Sequence, residues 1–229
     1  MTLENVQMVH EYGINEESRE IFLFNPTDIQ DNSINHVTAD NFIKNLTLLD
    51  KINKPITIHQ YSLGGDWQAG MAIYDAIRSS QCQFLFITYG FAASMGSIIP
   101  QAVYGKGLRI TQPYCEWMIH EGSLDIGGSN KGVQSRIEAN KKNTAQMYDI
   151  YSNVCKDGVF FKGESISKIK SYLRRKLTAK EDWWISAQEA VDYGFADIVI
   201  GSKGYENIKK IKFMEIARIP EDDRVEKRK

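Results

Sequence analysis

The sequence predicts an α/β domain in which helices cover a largely parallel sheet. Two observations support this fold class. Short runs rich in isoleucine, phenylalanine and tryptophan recur along the chain, and amphipathic segments of helical period lie between them. Strands that alternate with helices form βαβ units, whose crossovers favour parallel pairing. A composition of 42% hydrophobic and 25% charged residues over 229 positions allows one core of ordinary size.

The predicted elements alternate along most of the chain. Strands are expected at Glu20–Phe24, Pro55–Gln60, Gln83–Thr88, Gly107–Ile110, Glu116–His120 and, near the C-terminus, Ile211–Ile216. Helices are expected at Thr38–Asp50, Asp66–Ser79, Ser94–Tyr104, Ser129–Val154, Ser165–Leu173 and Ser186–Tyr193. The first of these helices begins with Thr38 in the position of a cap.

Charge and composition exclude several functional classes. A net charge of -1 and a pI near 6.4 favour neither a nucleic acid nor a membrane surface as partner. The segment 79–105 is free of charge, but glutamines, glycines and a proline interrupt it, so it does not resemble a membrane span. The N-terminus is too polar for a secretory signal. Three cysteines without metal-binding spacing predict free thiols in a reducing compartment, the cytoplasm.

The segment YGFAASMGS, residues 89–97, places a serine where a buried strand meets a helix. A helix N-terminus offers unpaired N–H groups and partial positive charge, and both favour negative charge beside Ser94. Ala92, Ala93 and Gly96 leave room for a substrate to approach. The segment therefore allows a nucleophilic serine, while a simple N-cap serine is the competing interpretation of this segment alone.

Two further segments add possible partners for Ser94. In YSLGGDW, residues 61–67, paired glycines let backbone N–H groups turn toward an oxyanion, although a phosphate site or an ordinary turn would use the same pattern. The absence of a following GK[ST] argues against a phosphate-binding P-loop. In WMIHEG, His120 ends an apolar strand and is the best candidate for a general base, whereas His59 fits a structural role within its strand.

Taken together, these motifs resemble the proteolytic subunit of the Clp protease, a serine peptidase of the ClpP/crotonase fold built from repeated ββα units. The resemblance rests on SLGG, FITYGFAASMGSII, MIHEG and DWWISAQEAVDYGFAD in that order, and it covers roughly residues 18–200. It implies a peptidase domain over 18–200, an N-terminal extension over 1–17 and a C-terminal extension over 201–229. It also implies a protruding handle helix within about 121–155.

The resemblance implies a role for each matching residue. Ser94 would be the nucleophile, His120 the base and Asp182 the acid, with the neighbouring Glu181 as a fallback. The oxyanion would be held by the backbone N–H of Met95 and of Gly65 or Asp66, and no metal or organic cofactor would be needed. Substrate contacts would come from the glycine turn and from the residues after the base, namely Gly64, Gly65, Glu121, Gly122 and Ser123.

The resemblance also implies an assembly: a heptameric ring, in one or two layers, that encloses the active sites and receives polypeptide from an AAA+ unfoldase. Several positions depart from the family pattern. Leu63 replaces a proline, Glu121 follows the base and could raise its pKa, and the segment 156–180 is long. Three alternatives stay open: a crotonase-type acyl-CoA enzyme, a Ser–Lys peptidase using Lys106, and a catalytically silent ring subunit.

Overall fold

A computed structural model of the chain describes residues 3–23, 33–208 and 211. Its α-helices are α1 (Leu3–Gln7), α2 (His36–Leu49), α3 (Trp67–Ser79), α4 (Met95–Ile98), α5 (Asn130–Cys155), α6 (Ile166–Lys180) and α7 (Ala187–Tyr193). Its strands are β1 (Ile14–Asn15), β2 (Glu20–Leu23), β3 (Ile56–Ser62), β4 (Phe84–Ala93), β5 (Gly107–Thr111), β6 (Glu116–Ile119), β7 (Trp183–Ile185) and β8 (Ile198–Val199). A π-helical turn (Met8–Tyr12) and two 3₁₀ turns (Ile99–Val103, Val159–Phe161) complete the set.

The strands form one eight-stranded sheet, and the predicted α/β class is confirmed. Its main path runs β1-β2-β3-β4-β5-β8, and every pair along this path is parallel except β1 with β2. The strand predicted to end at Phe24 is described as far as Leu23. The C-terminal strand predicted at Ile211–Ile216 lies outside the described residues except for Ile211, which is helical.

Strand β4 is longer than its sequence predicts, and it pairs with two different strands on the same side. Its first half, Phe84 to Thr88, pairs with β5, whereas its last residues, Phe91 to Ala93, pair with β6. The strand changes partner at Gly90, which has φ +55°. A Cβ there would lie 2.4 Å from the ring of Tyr61, so the positive φ and this contact both favour glycine at the branch.

The helices pack against the sheet, and their ends differ in detail from the predictions. Helix α2 begins at His36 rather than Thr38, because the side chain of Asn35 accepts hydrogen bonds from the N–H groups of Val37 and Thr38. The predicted helix from Ser94 to Tyr104 is a single α-helical turn that continues as a 3₁₀ turn. Helix α6 extends seven residues beyond the predicted end at Leu173, as far as Lys180.

Helix α5 has 26 residues and is therefore about 39 Å long. Its first four turns are largely exposed, and its buried residues all lie at or after Met147. The first half of the helix thus buries few side chains, in the region where a handle is expected. None of the helices in the described part of the chain is long and apolar enough to cross a bilayer.

The sheet begins before residue 18. Strand β1 lies within the segment predicted as an N-terminal extension, and Ile14 is fully buried opposite Ile21. The division into an extension over 1–17, a domain over 18–200 and a second extension over 201–229 stays a prediction, since the residues after 211 lie outside the described part. The three cysteines, Cys82, Cys115 and Cys155, are free and buried.

Candidate active site

The second half of β4 forms a small sub-sheet with β6 and β7, and this sub-sheet sets the positions of the three predicted catalytic residues. Ala93 of β4 pairs with Met118 of the parallel strand β6, so the chain leaves both strands at the same edge. Trp183 of the antiparallel strand β7 pairs with Ile119. The residues that adjoin these pairs are Ser94, His120 and Asp182, so three segments far apart in the sequence meet there.

The side chains of these three residues form a continuous hydrogen-bonded line. The Nε2 atom of His120 lies 2.6 Å from the Oγ atom of Ser94, and its Nδ1 atom lies 3.1 Å from Oδ1 of Asp182. Since the carboxylate can only accept, the proton on Nδ1 faces Asp182 and Nε2 is left to accept from Ser94. The side chain of Asp182 is 51% exposed, while that of His120 is 20% exposed.

Ser94 occupies a backbone conformation that residues other than glycine rarely adopt. Its φ is +52° and its ψ is −124°, and it immediately precedes the first residue of α4. Its N–H donates to the carbonyl of Met118 at 2.9 Å, which ties the turn to β6. Such conformations cost on the order of 1–3 kcal/mol and persist only where the surroundings hold them. The sharp turn aims the Ser94 hydroxyl at His120.

The paired glycines lie directly against this turn. A Cβ on Gly64 would lie 2.5 Å from Cβ of Ser94, and one on Gly65 would lie 2.2 Å from the carbonyl oxygen of Ile34. Gly64 already uses both backbone groups, since its N–H donates to Ser62 Oγ and its carbonyl accepts from Ile34. The contact of Gly64 with a substrate stays a prediction, and in this structure Gly64 makes room beside Ser94.

Of the two predicted alternatives for the oxyanion donor in the glycine segment, the N–H of Asp66 is already used in a hydrogen bond within the protein. This N–H donates to the carbonyl of Ile34 at 2.7 Å, and the side chain of Asp66 caps α3 by accepting from Ala69 at 2.8 Å. The isolated β-bridge between Ile34 and Gly65 brings the carbonyl of Ile34 to this N–H, and no local sequence pattern predicts such a bridge. Gly65 and Met95 both line the cavity beside Ser94, and the N–H groups of these two residues have no hydrogen bond within the described part of the chain.

Glu121, which follows the base, points to α5. The hydroxyl of Tyr148 donates to Oε1 of Glu121 at 2.5 Å, so the carboxylate is held by a helix rather than by the neighbouring His120. Burial raises the pKa of Tyr148, and the hydrogen bond to Glu121 raises that pKa further, so the hydroxyl keeps its proton near neutral pH. Gly122 and Ser123 continue from Glu121 as an exposed loop.

A cavity of about 570 Å³ opens at Ser94 and His120. One wall is the turn from Gly65 to Gln68, and another is the loop from Glu121 to Asp125. The third wall is one face of α5, whose lining residues recur at helical spacing: Arg136, Ala139, Asn140, Asn143, Thr144 and Met147. Helix α5 therefore borders the site.

The sequence did not indicate the polar groups that lie next to the turn at Ser94. Gln60 donates to the carbonyl of Gly96 at 2.7 Å, and Gln101 donates to the carbonyl of Ser97 at 2.9 Å. Ser97 in turn donates to the carbonyl of Ser94 at 2.7 Å. Ser97 lies within the AASMGS motif, but its position there does not show whether its side chain is buried and bonded to Ser94 or exposed on a helix.

Comparison with known proteins identifies the family. The family model described as Clp protease matches residues 7–203, most of the chain. The chain belongs to the Clp protease family. Its curated relatives include the ATP-dependent Clp protease proteolytic subunit 3 of Parasynechococcus marenigrum, which is 32% identical over 169 residues, or 73% of this chain and 78% of that protein.

Another relative and a solved structure agree with this assignment. The ATP-dependent Clp protease proteolytic subunit 2 of Nocardia farcinica is 29% identical over 189 residues, covering 82% of this chain and 85% of that protein. A ClpP1 mutant from Listeria monocytogenes has the same fold, with a TM-score of 0.65 at 23% identity over 86% of this chain and 96% of that chain. The predicted family and the ClpP fold are thus confirmed. The chain is a serine peptidase subunit of this family, and nothing in the comparisons favours the acyl-CoA enzyme.

Proposed function

We propose that this subunit is catalytically active and hydrolyses peptide bonds with Ser94 as nucleophile, His120 as general base and Asp182 as the acid that orients the base. One observation supports this proposal above all others. The hydroxyl of Ser94 lies 2.6 Å from Nε2 of His120, and the opposite ring nitrogen lies 3.1 Å from Asp182. A Ser–His–acid line with both contacts at hydrogen-bond distance is the arrangement that acyl transfer by a serine requires.

The reaction follows from the positions of the protons. As Ser94 Oγ attacks the peptide carbonyl carbon, its proton passes to Nε2 of His120, and the resulting imidazolium is stabilised by the carboxylate of Asp182. The tetrahedral intermediate collapses when His120 returns the proton to the leaving amine, leaving an ester on Ser94. A water molecule, deprotonated by the same nitrogen, then hydrolyses the ester and regenerates the serine.

The developing oxyanion needs donors that are in place before the reaction. We assign these donors to the backbone N–H groups of Gly65 and Met95, which line the cavity beside Ser94 and have no other hydrogen bond within the described residues. Met95 is the first residue of α4, and the N–H of a first helical residue has no carbonyl acceptor within its own helix. Removing one such donor costs roughly 10²–10³ in kcat in other serine peptidases.

The substrate is proposed to be an extended, unfolded polypeptide. The cavity is an open cleft of about 570 Å³ between the turn at Gly65 and the loop at Glu121, Gly122 and Ser123. Exposed backbone in that loop, which has neither helical nor strand structure, supports binding of a peptide main chain. These residues are the proposed substrate contacts, together with Gly65.

The assembly is proposed to be a heptameric ring, single or double, that works with an AAA+ unfoldase in the cytoplasm. The relatives are named as proteolytic subunits of ATP-dependent proteases, which supports dependence on such a partner. The largely exposed first half of α5 offers a surface for contacts between subunits. Three buried, unpaired cysteines fit a reducing compartment. Native mass spectrometry would test the ring, since a monomer at micromolar concentration would contradict it.

The activity is tested with Ser94→Ala and a fluorogenic peptide series. We expect hydrolysis to fall by roughly 10⁴-fold or more, and a fluorophosphonate probe to label the wild-type chain at Ser94 and the variant not at all. Ser171→Ala, which removes an exposed helical hydroxyl on α6, is the matched control and should keep full labelling. Absence of both hydrolysis and labelling in a wild-type ring would contradict the proposal and favour a silent subunit.

A further inference from the structure

Two buried hydroxyl groups, those of Ser97 and Tyr151, form a hydrogen-bonded chain that ends at the carbonyl of Ser94. The carbonyl of Ser94 accepts from the N–H of Ser97 at 2.8 Å and from Oγ of Ser97 at 2.7 Å. The same Oγ atom lies 2.6 Å from the hydroxyl of Tyr151 on α5. Both supporting side chains are buried, with Ser97 0% and Tyr151 1% exposed.

The direction of these bonds follows from the number of protons available. A carbonyl oxygen can only accept, so the one hydroxyl proton of Ser97 is used toward Ser94. Tyr151 must then donate to Ser97, which gives a chain that runs from Tyr151 through Ser97 to the carbonyl of Ser94. Burial raises the pKa of Tyr151, so its hydroxyl remains a donor near neutral pH.

The supporting tyrosine is itself well fixed. Its ring packs edge-on against Phe195, with ring centroids 5.3 Å apart, and it belongs to the buried end of α5. Helix α4, by contrast, has only four residues and cannot hold an unfavourable conformation through its own hydrogen bonds. The conformation of Ser94 therefore depends on groups outside the turn.

We propose that Ser97 and Tyr151 are positioning residues for the reaction, which fix the carbonyl of Ser94 and so the direction of its nucleophilic hydroxyl. The inference rests on the proposed role of Ser94. Removing either hydroxyl leaves a buried polar group with one partner fewer, and the turn at Ser94 gains freedom to relax toward an ordinary conformation. The Ser94 hydroxyl would then lie less often in line with Nε2 of His120.

The test is a double-mutant cycle with Ser97→Ala, Tyr151→Phe and the double variant, with every rate divided by the concentration of sites titrated with a fluorophosphonate. We expect Ser97→Ala to lower kcat about tenfold and Tyr151→Phe about threefold, with KM changed less than about twofold. Because Tyr151 acts through Ser97, adding Tyr151→Phe to Ser97→Ala should cause no further loss of kcat. The rate of fluorophosphonate labelling should fall in parallel with kcat.

Tyr104→Phe is the matched control, because it also removes a tyrosine hydroxyl bond, to Asp157, but at a distance from the turn. It should leave kcat unchanged. Lowered melting temperatures with unchanged site-normalised kcat in both Ser97→Ala and Tyr151→Phe would overturn the inference, as would independent, additive losses. If Ser97→Ala does not fold, the kcat, KM and labelling rate of Tyr151→Phe decide the test.

Failure of the inference can be told apart from failure of the proposed function. Wild-type chain that is labelled at Ser94 and hydrolyses peptides, together with normal kinetics of Ser97→Ala and Tyr151→Phe, would overturn the positioning role only. Wild-type chain whose hydrolysis survives Ser94→Ala would overturn the proposed function itself.

Discussion

The two ends of the catalytic line are supported in opposite ways. At the nucleophile end, the backbone of Ser94 is bonded to Met118 and Ser97, and the groups beneath it are buried. At the acid end, the side chain of Asp182 is 51% exposed, and it follows the last turn of α6. The residue before it, Glu181, has φ +57° and ψ −72°, so the backbone there is strained as well.

The position of Ser94 is fixed more precisely than that of Asp182. A hydroxyl that must attack along one direction is held by several buried hydrogen bonds, each costly to lose because water cannot replace it. An exposed carboxylate is held more weakly, because water competes for its oxygens and solvent screens its charge. We therefore expect changes near Ser94 to act through geometry, and changes near Asp182 to act through charge and proton position.

The largest effect in this comparison is expected from Asp182→Asn. The amide can donate to Nδ1 of His120, which favours the tautomer that carries its proton on Nε2 and cannot accept from Ser94. By analogy with other serine peptidases, kcat should fall by roughly 10³–10⁴ with KM little changed. Steady-state kinetics measure this directly. A loss below about tenfold would mean that the exposed carboxylate contributes little to orienting the base.

A large effect of another kind is expected from Gly64→Ala at the nucleophile end. The added Cβ would lie 2.5 Å from Cβ of Ser94 and 2.9 Å from the carbonyl of Ala93, so the turn must move. A displacement of about 1 Å can cost roughly a hundredfold in kcat. Gly163→Ala is the matched control, because it also has positive φ but open space around it. It should lose stability and keep its kcat, and equal kcat losses in both variants would contradict the prediction.

A smaller effect is expected from Tyr148→Phe, which removes the hydrogen bond that holds Glu121. Glu121 lines the cavity without joining the catalytic line, so the freed carboxylate should disturb binding more than chemistry. We expect KM to rise about threefold and kcat to change less than about twofold. A drop in kcat at constant KM would instead place Glu121 in the support of His120.

The smallest effect is expected from Glu181→Gln, which tests whether Glu181 and not Asp182 is the acid that bonds to His120. His120 bonds to Asp182 and not to this neighbour, and the side chain of Glu181 is exposed. Peptide hydrolysis should stay within about twofold of wild type. A loss of more than about tenfold in Glu181→Gln, with Asp182→Asn nearly unaffected, would exchange the two assignments.

Much of the fold and of the catalytic line could be predicted because both leave local signals. A strand followed by small residues and serine, a strand followed by His-Glu-Gly, and the segment around Ser186 are each contiguous in sequence. The alternation of apolar strands and amphipathic helices predicted the parallel sheet for the same reason. Asp182 could be assigned only by resemblance, since no local pattern distinguishes it from Glu181.

The remaining features depend on contacts between distant segments. The N–H of Asp66 is occupied because Ile34 forms an isolated bridge beside the glycine turn, and no sequence period signals such a bridge. Strand β7 is three residues long and was missed, although it places Asp182 next to the base. The pairing of Ser97 with Tyr151 joins residues 54 positions apart in the chain, both of types common in ordinary helices.

The branch in β4 divides one strand into a half that belongs to the main sheet and a half that leads to the candidate site. Upstream of Gly90 the strand is flanked by β3 and β5 and contributes to the main sheet, whereas downstream of it β6 takes the place of β5 and the strand ends beside Ser94. Substitutions that repack the upstream portion can therefore accumulate while the three reacting side chains keep their spacing. The branch thus lets the buried packing of the main sheet vary independently of the site.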